Sequence, residues 1–264
     1  MDRRQRLQRH PVGFDHRSLK FFLLFSVFFA SSSFAQDARR SGYEFMSRET
    51  RAMQDDDVSN PATLWVLDGE ALWSRKAGAS HKACAECHAS GMKGVATRYP
   101  ALHRGKLVNL EQRINACRVE QQKAVAFEYE TRDLLALTAF LGKQSRGQEI
   151  QVTVDERNKE QLEKGKAFFF RRQGQLNLAC FQCHDDNPGK RLVGNLIPQA
   201  HPTGYPIYRL EWQAMGSLHR RLRNCLTGIR AENYPLGSPE LVELELFLMW
   251  RARGMKIETP AVRP

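Results

Sequence analysis

The sequence lacks an apolar run long enough to cross a bilayer. Its longest, residues 21–30, spans ten positions, about half of the roughly 20 that a spanning helix needs. It also lacks any aromatic-basic motif or nucleic-acid-binding fold signature, and it has no low-complexity segment. The formal charge of +11 therefore reads as a solvated basic surface, suited to an acidic partner or a small anion, with no nucleic acid expected. Cysteine is scarce too. The chain has six cysteines in 264 residues, a number that in an exported protein would ordinarily mean three disulfides.

The short apolar run has the flanks of a Sec-type signal peptide. Arg3, Arg4, Arg6, Arg9, Arg17 and Lys20 precede it, and Ser33-Phe34-Ala35 follows as an A-x-A-like cleavage site. Residues 1–35 are expected to be removed, leaving a periplasmic chain that begins at Gln36 and has no membrane span. The leader carries six Lys/Arg and two Asp/Glu, so its loss lowers the charge by four, to +7.

Four of the six cysteines stand in two CxxCH strings, Cys84-Ala85-Glu86-Cys87-His88 and Cys180-Phe181-Gln182-Cys183-His184. Two thiols at this spacing reach the two vinyl groups of one porphyrin, and the adjacent His places a nitrogen on its iron. A single string would also suit a redox dithiol or half a zinc site. Two in an exported chain, each in similar surroundings, point to two covalently bound haem c groups, on Cys84 and Cys87 with axial His88, and on Cys180 and Cys183 with axial His184.

The surroundings repeat. Gly69 and Gly165 each stand fifteen residues before a first haem cysteine and open the similar segments Gly69-Glu-Ala-Leu-Trp73 and Gly165-Lys-Ala-Phe-Phe169. Downstream, Tyr99-Pro100 precedes Cys117 and Tyr205-Pro206 precedes Cys225, and Arg113 and Arg221 each lie four residues before those cysteines, on one helical face. Helical apolar periodicity closes both units, at residues 133–141 and 240–248. The expected fold is mainly α: two tandem cytochrome c-like helical domains, each with one covalent haem, plus an N-terminal extension. The boundaries are 36–68 for the extension, 69–148 for the first domain and 149–264 for the second, the break falling at the polar, Gly-containing stretch 144–148.

An iron held by one His takes a second ligand or keeps a position open. The first unit lacks the downstream Met of many c-type domains: Met92 is four residues past His88 and the next methionine is Met215. His103 and Cys117 remain. The second unit offers His201, Met215, His219 and Cys225. Only the Cys recurs at the equivalent place, so axial Cys117 and Cys225 are preferred over a disulfide between them. An anionic sulfur ligand favours ferric iron and lowers its potential. Arg220, Arg221 and Arg223 make the surroundings of Cys225 the more positive, so the second site is the one expected to handle an anion.

These residues, with the segment 224–232 and the tail 254–264, resemble the SoxA family, the haem subunits of bacterial thiosulfate-oxidising SoxAX cytochromes. The resemblance covers essentially the whole mature chain. It implies an L-cysteine S-thiosulfotransferase that joins thiosulfate oxidatively to a cysteine of the SoxYZ carrier, with a SoxX cytochrome subunit and an electron-accepting cytochrome c as partners. It also implies that the second haem is the active site, with Cys225 as a modified persulfide ligand and Arg221 beside it as catalytic residues. The sulfur chemistry proceeds either at the Cys225 sulfur or directly at iron. Competing readings are a dihaem electron-transfer cytochrome without substrate chemistry, and a dihaem peroxidase; the latter usually binds calcium, and no calcium loop of the D-x-[DN]-x-[DN]-G type is present.

Overall fold

The computed structural model describes residues 38–264; the expected leader, residues 1–35, lies outside them. The extension begins with a short 3-10 turn, Gly42–Phe45, opened by a capping box of Ser41 and Glu44. Helix α1 follows, Arg48–Asp55, where the Ser47 hydroxyl accepts the Thr50 N–H. The first repeat comprises α2 (Thr63–Ser74), the one-turn α3 (Cys84–Cys87), a hairpin of β1 (Ala101–His103) and β2 (Lys106–Val108), α4 (Leu110–Cys117) and α5 (Arg132–Lys143). The second has the same order: α6 (Lys159–Phe170), α7 (Cys180–His184), a short hairpin of β3 (Arg191–Leu192) and β4 (Asn195–Leu196), then β5 (Ile207–Arg209), β6 (Ala214–Gly216), α8 (Leu218–Gly228) and α9 (Pro239–Arg251). The tail strand β7, Ala261–Arg263, pairs parallel with β5, Ile207 facing Ala261.

Each repeat is held by a crossing of its first and last helices, and one glycine sets how closely they approach. A Cβ on Gly69 would lie 2.1 Å from the Ala136 carbonyl oxygen, and one on Gly165 would lie 2.0 Å from that of Glu243. No side chain fits there, so α2 touches α5, and α6 touches α9, backbone to backbone. The α5 side of the first crossing is almost wholly apolar and buried, with Leu134, Leu135, Leu137, Ala139 and Leu141. The α9 side of the second buries Leu244, Leu246, Phe247 and Leu248 against Phe168 and Phe169 of α6. Each such side chain withdrawn from water stabilises the fold by about 1.5–3 kcal/mol before entropy is counted.

The repeats pack into one compact unit, residues 39–264. The stretch around 144–148 turns as its composition suggested, with Gln144 closing α5 and Gly147 at φ +78°. From there the chain bonds to the other end of the protein, since Gly147 N–H donates to the Ile257 carbonyl at 2.8 Å. The extension is tied to the tail in the same way: Asn60 donates to the Pro260 carbonyl at 3.0 Å, and Val262 N–H donates to Gln54 at 3.1 Å. Among the described residues no helix is long and apolar enough to cross a membrane.

Candidate active site

Local sequence shapes both CxxCH turns alike. Ahead of α7, Gln182 Oε1 accepts the Ala179 N–H at 2.9 Å; ahead of α3, Glu86 Oε2 accepts the Ala83 N–H at 2.6 Å. Folding the string into one helical turn puts cysteines three apart on one face. In the second repeat the turn is anchored further, because Arg251 of α9 grips Asp185 at 2.6 Å and lies over the Phe169 ring. His184 Nδ1 stands 2.6 Å from the Pro198 carbonyl. That bond keeps a proton on Nδ1, so Nε2 is the nitrogen that can bind an iron once its own proton is lost, the arrangement that an iron-binding imidazole requires.

Helix α8 supplies the opposite wall. Ser217 caps it by accepting the Arg220 N–H at 3.1 Å, and Leu218 and Leu226 bury its apolar side. Arg221 and Cys225, four apart, share the other side and face an open cleft that His184, His201, Tyr205 and Arg209 also line. The Cys225 sulfur is within hydrogen-bonding reach of His184. Burial pushes its thiol up, yet the His184 bond and the charges of Arg221, His184 and Arg209 outweigh burial and bring it down to about 7. Cys180 lies close by: burial first, then the charge of Cys225, raises its thiol. Two attachment thiols within electrostatic reach of Cys225, with an oriented imidazole and that sulfur lining one cleft, fit a covalent haem c held through Cys180 and Cys183, with His184 and Cys225 available to its iron.

The other sequence candidates for the second iron are engaged elsewhere or differently. Met215 is packed into an apolar cluster with Val66 and Leu135. His219 is fully buried, its Nδ1 accepting the Gly237 N–H at 3.0 Å. His201 does line the cleft, and its Nδ1 lies 3.0 Å from the Arg40 carbonyl.

The first repeat assembles matching groups. Cys84 is close enough to Cys117 and Cys87 for their charges to raise its thiol, behind the larger effect of burial. Arg113 Nη1 donates to Cys117 Sγ at 2.9 Å, and Tyr99 sits beside both, as Tyr205 sits beside Arg221 and Cys225. His88 stacks on Trp73, ring centroids 5.7 Å apart. His103 of β1 faces Glu120 at 3.8 Å. All six cysteines are unbridged, so the Cys117–Cys225 disulfide weighed above is not formed.

Arg209 was not singled out from the sequence. It is only 6% exposed, its Nε donates to the Pro264 carbonyl at 2.8 Å and its Nη2 lies 3.1 Å from Glu211. Burial first, then the neighbouring Arg221, disfavours its charge. The cleft thus holds two guanidinium groups near one sulfur. No spacing in the sequence signals this, because β5 brings Arg209 to the cleft only by pairing with β6 and β7.

Comparison with known proteins places these features in company. The model of the SoxA/TsdA cytochrome c domain family matches residues 68–150. The chain is 37% identical over 86% of its length to the L-cysteine S-thiosulfotransferase subunit SoxA of Pseudaminobacter salicylatoxidans, covering 82% of that protein. It is 35% identical to the subunit of the same name from Rhodovulum sulfidophilum, covering 86% of this chain and 81% of that one. The crystal structure of SoxXA from P. pantotrophus superposes with a TM-score of 0.82 at 31% identity, over 86% of this chain and 87% of the other.

Proposed function

The chain belongs to the SoxA family, and from that premise we propose that it is the haem-bearing, thiosulfate-oxidising subunit of an L-cysteine S-thiosulfotransferase with its reaction at Cys225. The observation that carries this reading is the cleft in which the Cys225 sulfur faces His184 and is flanked by Arg221 and Arg209.

The overall reaction joins thiosulfate to a carrier thiol with release of two electrons and one proton. Covalent haem c, when bound, supplies one-electron acceptors for it. The chain's own residues do the rest. Arg221 and Arg209 receive the dianion, whose charge offsets their mutual repulsion in a cleft of low polarity. Cys225 lies where its sulfur can bond to the terminal sulfur of thiosulfate, a step that releases two electrons. The carrier thiolate then displaces the Cys225 sulfur, taking the thiosulfate group and restoring the starting thiolate without further redox change. A persulfide on Cys225 would extend the same reactive sulfur further into the cleft.

Two haem c groups, a SoxX cytochrome subunit, SoxYZ as the carrier, an electron-accepting cytochrome c and residence in the periplasm complete the proposal. The repeated helix order and the CxxCH pair support the haem count, and the likeness to a SoxXA structure supports the partner. The intact mass of the exported chain tests the count. Loss of residues 1–35 plus two haem masses is expected, and a single haem mass would leave one of the two strings without haem.

Arg221→Ala is expected to lower thiosulfate conjugation by on the order of 100-fold, chiefly through a weaker KM, since one of two cationic contacts to the dianion is lost. Arg221→Lys keeps the charge but not the planar fork and should recover part of the loss. Steady-state kinetics against thiosulfate check both. Unchanged kinetics in Arg221→Ala would favour a cytochrome that only transfers electrons.

A further inference from the structure

Helices α4 and α8 occupy equivalent places in the two repeats, and their sequences align as Leu110-Glu111-Gln112-Arg113 to Cys117 and Leu218-His219-Arg220-Arg221 to Cys225. Glu111 and His219 therefore hold the same position, six residues before the sulfur expected at each iron. Both are buried, Glu111 at 7% exposed and His219 at 1%, and across the repeats each lies within electrostatic reach of the other.

Every element packed around this spot adds a titratable or polar group. From α9, Glu245 Oε2 stands 3.0 Å from His219 Nε2. The Asn109 amide reaches the same carboxylate oxygen at 3.3 Å, and Tyr129 donates to Asn109 at 3.0 Å while its ring stacks on His219. Glu130 of the turn before α5 accepts the Ser217 N–H at 3.2 Å and faces Arg220 at 3.8 Å. Three carboxylates thus share one neutralising imidazole and the edge of one guanidinium.

The hydrogen bonds limit where protons reside. Gly237 N–H occupies the His219 Nδ1 lone pair, so the ring cannot take a second proton without losing that bond, although its carboxylate neighbours push its basicity up against burial. The spare proton falls to the carboxylates. Burial, then the nearby Glu245, lifts Glu111 from 4.5 to about 7. Glu130, within electrostatic reach of both Glu111 and His219, lines a surface depression together with Arg220 and Arg223.

We propose that Glu111, Glu245 and His219 form a buried proton-binding site between the repeats, whose occupancy is coupled to the redox state of the bound haems. Six helical residues correspond to about 9 Å of axial rise, so the site is at similar distance along both sulfur-bearing helices. An electron arriving at a haem adds one negative charge; over such a distance inside a protein this raises proton affinity on the order of tenfold. Coupling is reciprocal, so a proton held here favours reduction by the same factor. Each electron taken up draws up to one proton from solvent onto the carboxylate, and reoxidation returns both.

The inference rests on the haem reading, and the intact mass reports failure of that reading separately. With haem confirmed, the midpoint potentials of the wild type are expected to fall as pH rises through about 7, and reduction in weak buffer should take up protons measurable with an indicator dye. In Glu111→Gln both effects should vanish with the haem absorption spectrum unchanged. Haem carboxylates also titrate, and a variant that keeps the wild-type pH dependence would assign the proton to them and overturn the proposal. Should the variant fail to fold, reduced-minus-oxidised infrared spectra of the wild type near pH 7 decide: a protonated-carboxyl band that shifts in D2O supports the site, and its absence sinks it.

Discussion

Cys225→Ala is expected to abolish thiosulfate conjugation, a loss on the order of 1,000-fold or more, while the protein keeps its covalent haem and still exchanges electrons with small cytochromes. Removing a nucleophile whose sulfur carries the transferred group leaves only binding and electrostatics, which sustain a small residue of the rate. Attachment should survive because Cys180, Cys183 and His184 stand on α7 and its own capping bonds, whereas Cys225 comes from α8. The measurements are the mass increase of the carrier after incubation with thiosulfate, and the rate of cytochrome c reduction with and without carrier. Conjugation that persists near the wild-type rate would move the chemistry away from this sulfur. Cys225→Ala that loses its haem as well would show Cys225 to be needed for assembly, and Cys225→Met, which keeps a sulfur but cannot exchange it, then separates the two roles.

The second large effect concerns stability. Gly165→Val should cost at least about 3–5 kcal/mol, enough to leave much of the chain unfolded given that domains are stable by only about 5–15 kcal/mol. The reason is contact between backbones. The first carbon of any side chain at 165 would sit 2.0 Å from the Glu243 carbonyl, and a carbonyl in a helix cannot rotate aside, so α6 and α9 must separate. Their shared core of Phe168, Phe169, Leu244 and Phe247 then opens. Gly228→Ala is the control: a Cβ there meets nothing within 4 Å, and stability should change by less than about 1 kcal/mol. Urea titrations of the haem-loaded proteins compare the three. An unperturbed Gly165→Val would mean that this crossing does not hold the second repeat together.

Legibility differed by type of feature. Residues 133–141 and 240–248 read as helices from their apolar spacing, and they form α5 and α9. Gly69 and Gly165 were visible as repeat markers, but their part in the helix crossings was not. The tail was known only as a stretch of matching residues, yet it forms β7 and holds Arg209 at the cleft through the Pro264 carbonyl. Met215 and His219 were reasonable ligands by distance along the chain. In the fold they lie in an apolar cluster and in a carboxylate cluster.

The amino-acid order alone determined the attachment chemistry, the doubling of the unit and the pairing of Arg113 with Cys117 and Arg221 with Cys225. The attachment chemistry and the two pairings depend on residues three or four apart, whose relative placement a single turn of helix dictates, and the doubling shows because those short patterns recur. Tertiary structure decided that Arg209 joins Arg221 near one sulfur, that Glu111 comes within electrostatic reach of His219 across the repeats, and that both repeats make one compact unit. Those meetings join residues from about a dozen to more than a hundred positions apart. They follow from how whole helices and strands pack, a sum of many weak apolar contacts that leaves no mark at any one position.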